Sequence, residues 1–218
     1  MTDRDAGAGH ETPRRRTGSL KAGSNEARSM EADAAYVDEG LALYDDTQGV
    51  LPERLEAFGE TYREQGHLTR DQLYDIAYES STRSAHHVED NPDDRCRNVT
   101  AHVARLEDQQ RDGDAPDAAN DFAQIALIAA LKGFKAPTAS CVTAALNPDR
   151  HAVVDTRVWA ALERLGRLEG RKESFDADDY CAMTDEIRDI AASTDRRVVD
   201  VGYALFAHDV RDRDGTLH

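Results

Sequence analysis

The chain has 218 residues, enough for one well-buried domain. It carries 43 carboxylates against 27 basic side chains, a formal net charge of −16, and its lysines are confined to Lys21, Lys132, Lys135 and Lys172. An acidic surplus with scarce lysine suits a protein that stays hydrated in concentrated salt, where the Debye length falls to about 3 Å and self-repulsion is screened.

In such a salt-adapted chain the global charge is a solvation trait. It does not exclude a polyanionic partner, and only local charge is informative. Cys96, Cys141 and Cys181 are far apart and show no CxxC or Cys/His ligand spacing. They are expected to be reduced thiols in a cytoplasmic protein that binds no metal. The longest apolar run, Ile125 to Leu131, is seven residues, far short of a membrane span, and the N-terminal residues have no secretory pattern.

Taken in order, residues 1–30 are expected to be a disordered tail, rich in Gly, Ser, Thr and Asp and including the run Arg14-Arg15-Arg16. From Ala32 onward the pattern is helical. Tyr36, Leu41 and Tyr44 give a weak first face. Leu51, Leu55, Phe58 and Tyr62 give a clean one. Thr69 is placed to cap a helix carrying Leu73, Ile76 and Ala77. Thr82 to Asp90 is expected to be a polar loop, with His86 and His87 either at the surface or contributing to a metal or base pocket, although no third ligand has helical spacing. Asn91-Pro92 predicts cap and first turn of a long helix with the stripe Val99, Val103 and Leu106.

Arg111 to Asp117 is a charged loop at which the domain, residues 31–218, is expected to divide into two lobes. The most apolar helix, Phe122 to Leu131, is predicted to lie in the centre of the core. A turn at 132–135 and a small-residue helix from Pro137 to Leu146 follow. Asp155 or Thr156 is placed to cap a helix over 155–165, and Trp159 on it fills core or stacks on a base. Helices from Asp176 to Ala192 and from Arg196 to Val210 complete the chain. The expected fold class is all-α, a compact domain of eight or nine helices.

The stretch Leu131-Lys132-Gly133-Phe134-Lys135-Ala136-Pro137-Thr138-Ala139-Ser140 joins two helices through a tight turn. Gly133 supplies backbone freedom, and free amides at a helix N-terminus can hold a phosphate. Further on comes Val153-Val154-Asp155-Thr156-Arg157-Val158.

Together these resemble the helix-hairpin-helix of the base-excision DNA glycosylase superfamily. The pattern there is Leu-Pro-Gly-Val-Gly-x-x-Thr-Ala, then a helix, a loop and Val-Asp-Thr. Leu131, Gly133, Thr138 and Ala139 are in step, and so is the interval to Asp155. The resemblance covers residues 122–166, with the hairpin at 122–146. It implies a glycosylase-like helical fold, duplex DNA as partner, and Asp155 as the catalytic carboxylate. Gly133, Phe134, Lys135, Lys132, Thr138 and Arg157 would contact DNA.

Departures refine the expectation. Pro137 stands where members that also cleave the backbone carry lysine, and it has no amine for a Schiff base. At most a monofunctional glycosylase is implied. Lys132 and Lys135 replace the hairpin's Pro and second Gly, which sets two of the four lysines at the tip. No cysteine follows Cys181, so the family's iron–sulfur cluster is not expected, nor any other cofactor. Two alternatives stand beside catalysis: Asp155 as a helix cap, compatible with a catalytic role, and a non-catalytic helical module that keeps the fold for structure or DNA binding.

Overall fold

The computed structural model describes residues 32–48, 51–80, 82–111, 118–170 and 172–213. The N-terminal tail expected at 1–30 and the charged loop at 112–117 lie outside the described residues. Within them the architecture is all-α. The helices are α1 (Ala34–Gln48), α2 (Leu51–Gln65), α3 (Arg70–Ser80), α4 (Thr82–Ala85), α5 (Asp93–Arg111), α6 (Ala118–Ala129), α7 (Ala136–Leu146), α8 (Thr156–Arg164), α9 (Ala177–Thr194) and α10 (Val198–Asp212). A 3-10 helix, His86–Asp90, joins α4 to α5.

Several helix starts follow directly from capping chemistry. At α3 the Thr69 hydroxyl accepts from the Gln72 amide at 3.2 Å while the Gln72 side chain accepts from the Thr69 amide at 2.8 Å. Asp176 and Asp179 form the same reciprocal arrangement at α9. Asp155 caps α8.

The segment 82–90 is not the polar loop expected. Its two short helices bury Ala85 and Val88 on one side and leave His86 and His87 exposed on the other. Nine residues with only two apolar anchors give too short a pattern for periodicity to register.

One continuous core joins the elements, with Leu73, Ile76, Ile125, Ile128, Leu162, Met183, Ile187 and Ile190 fully enclosed. The helix α1 lies along α10, α2 along α7, and α8 along α10, while α6 packs against α5, α7 and α9. The helices that flank 112–117, α5 and α6, pack on each other and share buried hydrogen bonds.

Two stripes differ from expectation. On α5 the buried positions are Cys96, Thr100, Val103, Glu107 and Gln110. The spacing is helical, but three of the five side chains are polar, so an apolar count finds Val99 and Leu106 instead. On α6, Ile125 and Ile128 are buried together with Asp121 and Gln124, whereas Phe122 is 41% exposed.

The polar residues of these stripes form one network. His151 Nε2 meets Glu107 Oε2 at 2.9 Å and its Nδ1 meets the Tyr180 hydroxyl at 2.8 Å. Gln124 donates to Glu107 at 3.2 Å and to Gln110 at 2.8 Å; Gln110 donates to Asp121 at 3.1 Å. Arg150 and Arg188 close the chain on Asp121, at 3.2 and 2.7 Å. Burial pushes the Glu107 carboxyl up, but His151 and the Asn147 and Gln124 amides overcome this and hold it down at about 2. Partnering of this kind is what makes buried charge tolerable.

Candidate functional site

The connection between α6 and α7 is fixed from within and from outside. Gly133 has φ +86°, and a Cβ there would lie 2.8 Å from Val88 Cγ2 and 3.1 Å from the Ser84 carbonyl oxygen. The turn is therefore seated against α4 and the 3-10 helix, and only glycine fits.

Asn91 supplies the outer clamp. Its carboxamide accepts from the Lys132 amide at 2.9 Å and donates to the Lys132 carbonyl at 2.9 Å, with a further donation to Val88 O at 3.0 Å. Asn91 thus holds the turn instead of capping α5, where the Cys96 amide donates to Pro92 O at 3.1 Å. The amides of Lys132 and Phe134 are already bonded, to Asn91 and to Leu131 O at 3.3 Å. Those of Gly133, Lys135 and Ala136 have no hydrogen bond among the described residues.

The second fixed point is one residue before Asp155. Ser140, wholly buried on α7, donates to Pro137 O at 2.6 Å and accepts from the Val154 amide at 3.0 Å. This ties the segment 151–155 to α7. From the other side α10 presses on it at Gly202, where a Cβ would lie 3.1 Å from Ala152 Cβ.

Asp155 follows in extended backbone. Its Oδ1 accepts from the amides of Arg157 at 2.9 Å and Val158 at 3.0 Å. Its Oδ2 makes no hydrogen bond among the described residues. Burial raises its carboxyl above the ordinary value; the two amides and Arg157 pull the other way, and Asp209 adds to the rise.

A cleft of about 640 Å³ opens between these pieces. Asp155, Tyr203, Phe206, Gly133, Phe134, Thr138 and His87 are among the residues that line it. The volume falls in the range of small-molecule sites, about 300–1,000 Å³. So the structure brings Asp155, Gly133, Phe134, Lys135 and Thr138 to one cavity.

The remaining expected contacts are distributed differently. Phe134 and Thr138 are buried, at 5% and 6% exposure, so they shape the cavity and do not project from its tip. Lys135 is exposed and makes no ion pair among the described residues. Lys132 is exposed with its ammonium 3.9 Å from Asp90. Arg157 turns inward, 3.7 Å from Asp209 and 5.7 Å over the Phe206 ring. Asp209 is fully buried and also holds Arg164 at 2.6 Å and Arg213 at 3.0 Å.

Trp159 is core, with its indole N–H donating to Gly170 O at 2.6 Å and its ring against Phe175. Tyr74 and Tyr78 stack at 6.2 Å, with Tyr78 half exposed. No group of three His, Cys, Asp or Glu among the described residues is arranged to hold a metal, and no described helix is long and apolar enough to cross a membrane.

Asn91, Ser140 and Asp209 are the working residues that sequence reasoning missed as such. Asn91 resembles an ordinary cap before Pro92, and Ser140 is one small residue among several; neither has a local pattern that reveals a partner 41 or 14 residues away. Comparison with protein-family models, curated proteins and solved structures finds no match to the chain.

Proposed function

We propose that the chain is a monofunctional DNA glycosylase-like protein of the helix-hairpin-helix superfamily, binding duplex DNA at the 132–135 turn and excising a damaged base with Asp155. The observation that carries this reading is the placement of Asp155. Its Oδ1 caps α8 while its Oδ2 is left unbonded on a cleft of about 640 Å³ that also reaches the turn.

Cleaving an N-glycosidic bond develops positive charge on the sugar, and a fixed carboxylate stabilises that charge and orients the attacking water. The base must first leave the stack and enter a pocket. The unbonded amides of Gly133, Lys135 and Ala136, at the start of α7 and beside the unpaired Lys135, suit a DNA phosphate. With Pro137 in place of an amine, strand cleavage is left to alkali. No cofactor enters this reading.

A second reading, a non-catalytic helical DNA-binding module, is favoured by the Asn91 clamp, which rigidifies the turn independently of any chemistry. The test uses the purified protein in high KCl with duplexes containing uracil, hypoxanthine, 8-oxoguanine or an alkylated purine. Breaks appearing only after alkali support the glycosylase. Breaks without alkali contradict the assignment of Pro137 and point to Lys135. Binding with no breaks on any duplex favours the module.

A further inference from the structure

The cavity that Asp155 lines also contains an uncommitted titratable side chain, His87. His87 sits on the 3-10 helix His86–Asp90, lines the same cavity as Asp155, and is exposed. Its ring centroid lies 3.9 Å from that of His86, the planes tilted by 40°, and the ring makes no hydrogen bond among the described residues. The buried histidines differ: both ring nitrogens of His151 and of His208 are engaged. The His87 backbone is nonetheless held in place, because Gly133 packs against Val88 and Ser84 on either side of it. A rigid backbone thus presents an uncommitted imidazole to the cavity.

Resting on the glycosylase reading, we infer that His87 is the general acid that protonates the departing base, and that the site therefore serves neutral bases. Asp155 addresses only the sugar side of the reaction. As the bond from C1′ to the base nitrogen breaks, its electron pair goes to the base. A neutral base would leave as an anion, so a proton delivered to a ring nitrogen or exocyclic oxygen accelerates the step. Water supplies hydroxide to C1′ and its proton passes to solvent; His87 is reprotonated from solvent. The products are the free base and an abasic sugar, with charge and atoms balanced. An imidazole is the side chain whose proton is available in the neutral range. The other titratable groups on this cavity are Tyr44, Glu79, Arg83, Lys135, Cys141, Asp155, Glu173 and Tyr203; burial pushes the Tyr44, Cys141 and Tyr203 protons up, away from the neutral range. Arg and Lys hold their protons too tightly for this role, and Glu79 is engaged by Arg54.

The test compares two leaving groups. Hypoxanthine leaves as an anion unless protonated, whereas 7-methylguanine already carries a positive charge and leaves neutral. Single-turnover excision of each from duplex DNA in high KCl is measured for the wild type and for His87→Gln, which keeps a polar group of similar size without a transferable proton. The expected result is a fall of 10²-fold or more in the ratio of hypoxanthine to 7-methylguanine excision. An unchanged ratio, whether both rates fall or neither does, overturns the assignment of His87 while leaving the glycosylase reading intact. A wild-type protein that excises 7-methylguanine but not hypoxanthine overturns the assignment to neutral bases, and one that excises neither of these, nor uracil, nor 8-oxoguanine, overturns the glycosylase reading as well.

Discussion

Replacing Gly133 with alanine tests how the turn is built. Two costs add at this position. The backbone sits at φ +86°, in the region that L-residues avoid by about 1–2 kcal/mol. The new methyl would also lie 2.8 Å from Val88 Cγ2 and 3.0 Å from the Val88 amide nitrogen. Val88 is fully buried, so relief requires moving α4 and the 3-10 helix, an overpacking cost of about 1–3 kcal/mol. The expected total is about 2–5 kcal/mol. Gly166 supplies the control: its φ is +70° but a methyl there meets nothing within 4 Å, so Gly166→Ala incurs only the backbone cost. Urea unfolding of both variants in the same salt, read as a shift of midpoint at unchanged slope, gives the difference. If Gly133→Ala is no more destabilised than Gly166→Ala, the seating of the turn on Val88 is wrong.

Asn91→Ala removes both hydrogen bonds to Lys132 and the one to Val88 O, and is expected to lower stability by about 2–3 kcal/mol; faster hydrogen exchange at the Lys132 amide would locate the effect in the turn. The buried Glu107 makes the fold acid-sensitive. Its carboxyl is held at about 2 against an ordinary 4.5, so its contribution is complete above pH 4.5 and is lost as pH falls toward 2. Glu107→Gln is therefore expected to flatten the dependence of the urea midpoint between pH 5 and pH 2.5, and a dependence as steep as wild type would contradict the pairing with His151.

What could be read from the sequence was what chemistry places within four residues. The Thr69 cap, the Asp155 cap and the glycine at the turn are local features, and each appears where spacing put it. Long-range partnership was not readable. Glu107 on α5 meets His151 forty-four positions later, and nothing near either residue announces it. Because the network draws polar residues inward, it also disguised the periodicity of α5 and left Phe122 outside. The cavity itself is assembled from α1, α3, α4, the 3-10 helix, α7, α8 and α10 with the loops between them, so its existence depends on tertiary packing alone.

The central claim, that Asp155 is more than a cap, is tested most directly by Asp155→Asn. Asparagine caps helices as well as aspartate, so the hydrogen bonds to Arg157 and Val158 can persist and the urea midpoint should stay within about 0.5 kcal/mol of wild type. Loss of the charge, however, should slow single-turnover base excision by about 10²-fold or more on whichever duplex the wild type cleaves. A stable Asp155→Asn protein that excises at the wild-type rate would contradict the account.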